Sequence, residues 1–300
     1  MAMLKKPVTT VLIAVSILVS GASAEQAPSL AELLKLAGDY HADFVNRISG
    51  VTLEEQYQLI DVTGGKMQPP TRIASDVVFV NLNGGVAALR DSYAVDTRPL
   101  RDRTPRITAL LATPTATVKD WAAVIEFPAQ GARYFGIDLI LKVNEPTFAL
   151  RFIGHGVQPD LKYSLDGRKK FNGVEAMGIR FEEPAAQEKQ YITGSRGNAR
   201  ASGRIWVDPA TGAIHSTELW LDSKADTASI TVKYAPYPSV NLLLPSETNE
   251  TYEERQAASG PRDLTRSVDS GRGGNRISYQ ATAKYSKATL TPIDLRTLKK

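Results

Sequence analysis

The chain has no cysteine at all in 300 residues. That excludes a disulfide framework, thiol catalysis and thiolate metal sites, so stability rests on packing alone. Histidine is scarce too, with three residues at 41, 155 and 215. No pair has metal-ligand spacing, and no metal or other cofactor is expected. Long apolar runs are missing except near the start. Residues 11–19 are apolar, but a transmembrane helix needs roughly 20 such residues. Strong charge of one sign is also absent. The formal net charge is +4, and without Lys5 and Lys6 it is +2, which leaves no basic footprint for nucleic acid.

The apolar run at 11–19 follows Lys5 and Lys6 and precedes Ala22-Ser23-Ala24. A basic start, a short apolar middle and a small-residue site predict a signal peptide over 1–24, with the mature chain starting at Glu25. The expected destination is the periplasm or the exterior, with no integral span after cleavage. The remainder, 25–300, is read as a single domain, because no Pro-, Gly- or Ser-rich linker divides it.

Ser29 and Glu32 form a capping box ahead of Leu30, Leu33, Leu34, Ala37, Tyr40, Phe44, Val45 and Ile48 at helical spacing, with Gly50 behind. This predicts an amphipathic helix over 30–48. Strands are expected at 51–62, 73–82 and 86–95, divided by Gly64-Gly65 and Asn83-Gly84-Gly85. A helical insert is expected at about 100–155, including a short apolar helix over 147–153. Strands resume at 161–165 and 174–181. A meander follows over 201–252, and a last strand over 277–285 alternates apolar and polar residues. Residues 255–276 are polar and rich in Gly, Ser and Arg, and read as a mobile loop. Helix first and antiparallel hairpins after it make the class α+β.

The meander is pinned by Asp208-Pro209-Ala210-Thr211-Gly212. Asp208 can accept from the backbone two residues on, Pro209 presets φ, and Gly212 supplies a left-handed residue. A plain register across this turn pairs Val207 with Ile214 and Trp206 with His215. It puts Ile205, Val207, Ile214 and Trp220 on one face and Trp206, Leu219 and Leu221 on the other. Apolar groups on both faces predict a covered, curved sheet. Either protein or an enclosed apolar cavity would provide the cover.

No catalytic residues are assigned. Gly194-Ser195-Arg196-Gly197 is not a nucleophile elbow. Glu182-Glu183 and Glu253-Glu254 are neighbours in strands, so each pair splits between faces. Gly64-Gly65 and Asn83-Gly84-Gly85 lack the lysine and helix of a phosphate loop, and one Arg272-Gly273-Gly274 reads as loop. Asp91, Asp96, Arg98, Arg101, Asp102 and Arg103 crowd one stretch. Such mixed charge is a self-screened surface network or an edge for docking a partner, with Asp96, Arg98, Arg101 and Arg103 as the docking set.

The helix over 29–48, the run Gly203-Arg204-Ile205-Trp206-Val207-Asp208-Pro209-Ala210-Thr211-Gly212, and Leu244-Pro245-Ser246-Glu247 together resemble the periplasmic lipoprotein-carrier and lipoprotein-sorting superfamily. The chain also looks like a set of uncharacterised secreted bacterial proteins, through Asp91-Ser92-Tyr93-Ala94-Val95-Asp96 and Val232-Lys233-Tyr234. The first resemblance implies an unclosed half-barrel: a curved antiparallel sheet wrapped over the N-terminal helix and the helical insert. Its apolar concave face would hold lipid or lipoprotein acyl chains without catalysis. The expected lining is Ile205, Val207, Ile230, Val232, Tyr234, Leu242, Leu244, Tyr252, Ile277, Tyr279 and Tyr285. The competing readings are an envelope scaffold that meets another protein and holds no ligand, and a secreted hydrolase whose site is assembled from distant residues.

Overall fold

The computed structural model describes residues 28–63, 65–82, 85–113, 145–184, 192, 198–224, 226–254 and 277–293. The expected signal peptide at 1–24, the middle of the expected insert and the expected loop at 255–276 lie outside them. Helix α1 is Leu30–Arg47. Its capping box forms as the sequence predicts: the Glu32 amide donates to Ser29 Oγ at 3.3 Å and the Ser29 amide donates to Glu32 Oε2 at 2.8 Å. The buried stripe is Leu33, Ala37, Gly38, Phe44 and Val45. Ile48 caps the end through its amide on the Phe44 carbonyl, and Gly50, at φ +86°, turns the chain into the sheet.

The strands are β1 Val51–Thr63, β2 Lys66–Met67, β3 Thr71–Leu82, β4 Gly85–Val95, β5 Arg98–Pro99, β6 Lys162–Phe171, β7 Val174–Glu182, β8 Arg200–Val207, β9 Ile214–Asp222, β10 Asp226–Tyr237, β11 Leu242–Glu254 and β12 Ile277–Leu290. They form one sheet in the order β5-β4-β3-β1-β12-β11-β10-β9-β8-β7-β6, with β2 attached to β1. Every recorded neighbour pair is antiparallel.

The α+β class and the helix-covered sheet stand, but the half-barrel does not. The sheet is open, neither curled nor closed, with β5 at one edge and β6 at the other. The premise for curvature fails at one residue. A bulge between Trp206 and Val207 pairs Val207 with Ile214 but Trp206 with Ser216, leaving His215 as the extra residue. Such an insertion flips the faces of everything beyond it. Ile205 therefore lies opposite Thr217, Gly203 opposite Leu219 and Ala201 opposite Leu221. Leu219 and Leu221 join Ile205 and Val207 in the main core, and Trp206 and Trp220 share the other face. The large apolar groups are not split between two faces in the way that called for curvature.

The main core joins that face of the sheet to α1 and to a 3₁₀ segment, Phe148–Ile153. Phe152 stacks on Phe181 of β7 with ring centroids 4.9 Å apart, and each such buried aromatic contributes roughly 1.5–3 kcal/mol. A smaller core lies on the opposite face, where successive strand residues point the other way. There α2, Arg106–Leu111, sets Ile107 and Leu111 on Val78 and Val80. The described ends of the predicted insert thus cover opposite faces of the sheet.

Candidate functional site

Two glycines bring α1 against the turn that follows the 3₁₀ segment. A side-chain carbon at Gly38 would lie 2.5 Å from His155 Cε1, and one at Gly154 would lie 3.1 Å from His41 Cε1. Each histidine occupies the space that the opposite glycine leaves. His155 Nε2 is 2.8 Å from Asp39 Oδ1. The Gln158 amide nitrogen donates to the carbonyls of Leu34, at 3.0 Å, and Ile153, at 2.8 Å. Tyr234 OH donates to the Pro146 carbonyl at 3.0 Å and fixes the start of the segment to β10.

This packing leaves a cavity of about 600 Å³ between α1, the start of β4 and residues 145–157. Its apolar wall includes Phe44, Val45, Val86, Leu150 and Val157, and its polar wall includes His41, Asn46, Glu145, Thr147, Arg151 and His155. The volume falls within the roughly 300–1,000 Å³ typical of small-ligand sites. Burial, helped by the neighbouring His155 and Arg151 charges, pulls the His41 imidazole down to about 4, so it is neutral at pH 7. Burial raises the Glu145 carboxyl above its usual range, against a hydrogen bond from Thr147 and the charges of Arg151 and Arg90. The Arg151 guanidinium lies 3.9 Å from the centre of the Phe148 ring. Burial lowers its pKa, and Glu145 opposes that shift.

The sheet face contributes a buried polar cluster. Arg90 Nε donates to Glu55 Oε2 at 2.8 Å and Arg90 Nη2 to Glu55 Oε1 at 2.9 Å, in a two-point pair. Tyr285 OH donates to Glu55 Oε1 at 2.9 Å. Tyr57 OH and Tyr252 OH donate to Glu250 Oε2 at 2.9 and 3.0 Å. Burial opposes the Arg90 charge, but Glu55 and its neighbours outweigh it and raise the guanidinium pKa. Burial also raises the Glu250 carboxyl, against the Tyr57 hydrogen bond and the Arg90 charge. The cluster ties β1, β4, β11 and β12 together through the carboxyl groups of Glu55 and Glu250.

Of the lining predicted from sequence, Ile205, Val207, Ile230, Val232, Tyr234, Leu242, Leu244, Tyr252 and Tyr285 are buried in the main core, with Tyr279 half-buried against it. Ile277 opens β12 opposite Thr63. None of these buried and half-buried residues borders the cavity. In the predicted docking set, Asp96 accepts from the Arg72 amide at 2.9 Å. Arg101 pairs with buried Asp91 at 2.6 Å. Arg103 pairs with Glu54 and Asp76 and covers the Tyr93 ring. Arg98 is exposed on β5, with no ion pair among the described residues. The cavity residues His41, Glu145, Arg151 and His155 were missed as a group. A glycine inside the helix stripe at 38 and the run Gly154-His155-Gly156 were the signals available. Among the described residues, no group of three or more His, Asp or Glu side chains could hold a metal ion.

No family model matches the chain, and no curated protein matches it by sequence. Solved structures do. A DUF1329 family protein from Desulfovibrio piger is 11% identical with a TM-score of 0.36, over 88% of this chain and 94% of that one. A putative outer membrane lipoprotein-sorting protein domain from Vibrio parahaemolyticus is 10% identical with a TM-score of 0.37, over 86% and 94%. The likeness is one of low sequence identity throughout. A LolA superfamily protein from Nitrosomonas europaea adds to it at 8% identity and a TM-score of 0.29, over 88% and 97%. Similarity at this level assigns the chain no ligand.

Proposed function

We propose that this chain is an exported, non-catalytic protein of the bacterial cell envelope that binds an acyl chain of a lipid or lipoprotein. The binding site in this reading is the cavity between α1 and residues 145–157. The cavity itself carries the reading: about 600 Å³, with Phe44, Val45, Val86, Leu150 and Val157 among the residues that line it. Burying apolar ligand surface there gains roughly 25 cal/mol per Å², less the cost of ordering the ligand. The export part of the proposal rests on residues 1–24.

The sheet-face residues first expected as lining take a secondary place. Ile230, Val232 and Leu244 are covered in the main core and do not line the cavity. Native mass spectrometry of the protein purified from the cell envelope, followed by lipid extraction, tests the proposal. A bound lipid released on unfolding is expected. Protein free of lipid that also ignores added fatty acid contradicts it.

A further inference from the structure

The polar wall of the cavity has a definite chemistry. Arg90, Arg101, Arg103, Arg106 and Arg204 each hold a carboxylate within salt-bridge distance. Arg151 differs. It is half-buried on the cavity wall with its guanidinium over Phe148, and no carboxylate among the described residues pairs with it. A partly desolvated guanidinium is costly unless an anion accepts its fixed fork of donors. The nearby carboxyl groups are engaged elsewhere. Glu145 accepts from Thr147 Oγ1 at 2.7 Å, and Asp39 is held by Lys35 and His155. Neutral His41 and Asn46 add hydrogen-bonding groups on the same wall.

Resting on the acyl-chain reading above, we infer that the cavity selects amphiphiles with an anionic head, and that Arg151 binds that head while the apolar wall, with half-buried Val86 and Val157, takes the chain. The head is a carboxylate or a phosphate ester; both offer the oxygen pair that a guanidinium matches.

Titration calorimetry on the full chain, with ligands held below their micelle concentrations, tests this. The probes are dodecanoate, dodecyl phosphate and dodecanol, which share one chain and differ in the head. At least one anionic probe is expected to bind about tenfold or more tighter than dodecanol, the step a charge-assisted hydrogen bond supplies. The tighter of the two anions names the head. Arg151→Met should remove that advantage and leave dodecanol binding unchanged, and Arg151→Lys should keep part of it. Equal binding of all three probes to the unaltered protein overturns the inference and leaves the acyl-chain reading standing. Equal loss of dodecanol binding in Arg151→Met, with an unchanged melting temperature, also overturns it. No binding by any probe overturns both.

Discussion

The ring of Phe181 rests on Gly203. The two residues face each other across β7 and β8, and a side-chain carbon at Gly203 would lie 2.6 Å from two atoms of the ring and closer still to the Glu218 carbonyl. Phe181 in turn stacks on Phe152, so the 3₁₀ segment that walls the cavity is anchored on the sheet at a position without a side chain. Gly203→Ala cannot be relieved by one flexible group, because backbone lies in the way. Urea unfolding should show a loss of about 1–3 kcal/mol, the usual cost of overpacking. An unchanged midpoint would mean that this contact does not constrain the core.

The Arg90–Glu55 pair lies inside, with side-chain exposures of 13% and 1%. Arg90→Met leaves Glu55 buried without its cation, which costs about 3–5 kcal/mol. Adding Glu55→Gln should recover most of that loss, since a neutral pair has no orphan charge. A double variant as unstable as the single one would show that packing, not charge, sets the cost.

Glu250 gives a dependence on pH. Burial raises its carboxyl in the folded protein above the ordinary value, 4.5. Below that value both states hold the proton and the group contributes nothing to pH dependence. Above it the unfolded chain ionises first, so the folded state loses stability as pH rises through the folded pKa. Glu250→Gln removes this loss. The melting temperature of the variant relative to the parent should therefore climb between pH 4.5 and neutrality. A difference that stays flat or falls would contradict the shift.

Gly212, in the turn after β8, has φ +75°, and a side-chain carbon there would lie 2.3 Å from the Leu36 carbonyl oxygen of α1. An L-residue in that region costs about 1–2 kcal/mol, and here the added methyl also meets the helix. Gly212→Ala should lower stability by at least that amount in chemical unfolding. A neutral result would mean that the turn moves freely away from α1.

That turn also marks how far the sequence could be read. Gly212 and Asp208 behave as their residue types require: Asp208 Oδ1 accepts from the Ala210 amide at 2.8 Å. Strand alternation and the Ser29–Glu32 box were legible because they depend on near neighbours. The bulge was not. One extra residue at His215 leaves no trace in composition, yet it reverses the faces of Leu219, Leu221 and Trp220. A second bulge, between Leu165 and Arg168, broke the alternation of β6, so its outer half beyond 165 went unread despite the Asn172-Gly173 turn. The cavity was hidden for another reason. Its walls come from residues 38–46, 85–86 and 145–157, which only the tertiary fold brings together.

The proposed place of the acyl chain is between α1 and residues 145–157, not against the face of the sheet. The most direct test is paramagnetic broadening of backbone amide signals by a spin-labelled fatty acid. Broadening centred on residues 38–46, 85–86 and 145–157, reversed by unlabelled fatty acid, is expected. Broadening centred on β10, β11 and β12 instead, or none anywhere at saturating ligand, would contradict it.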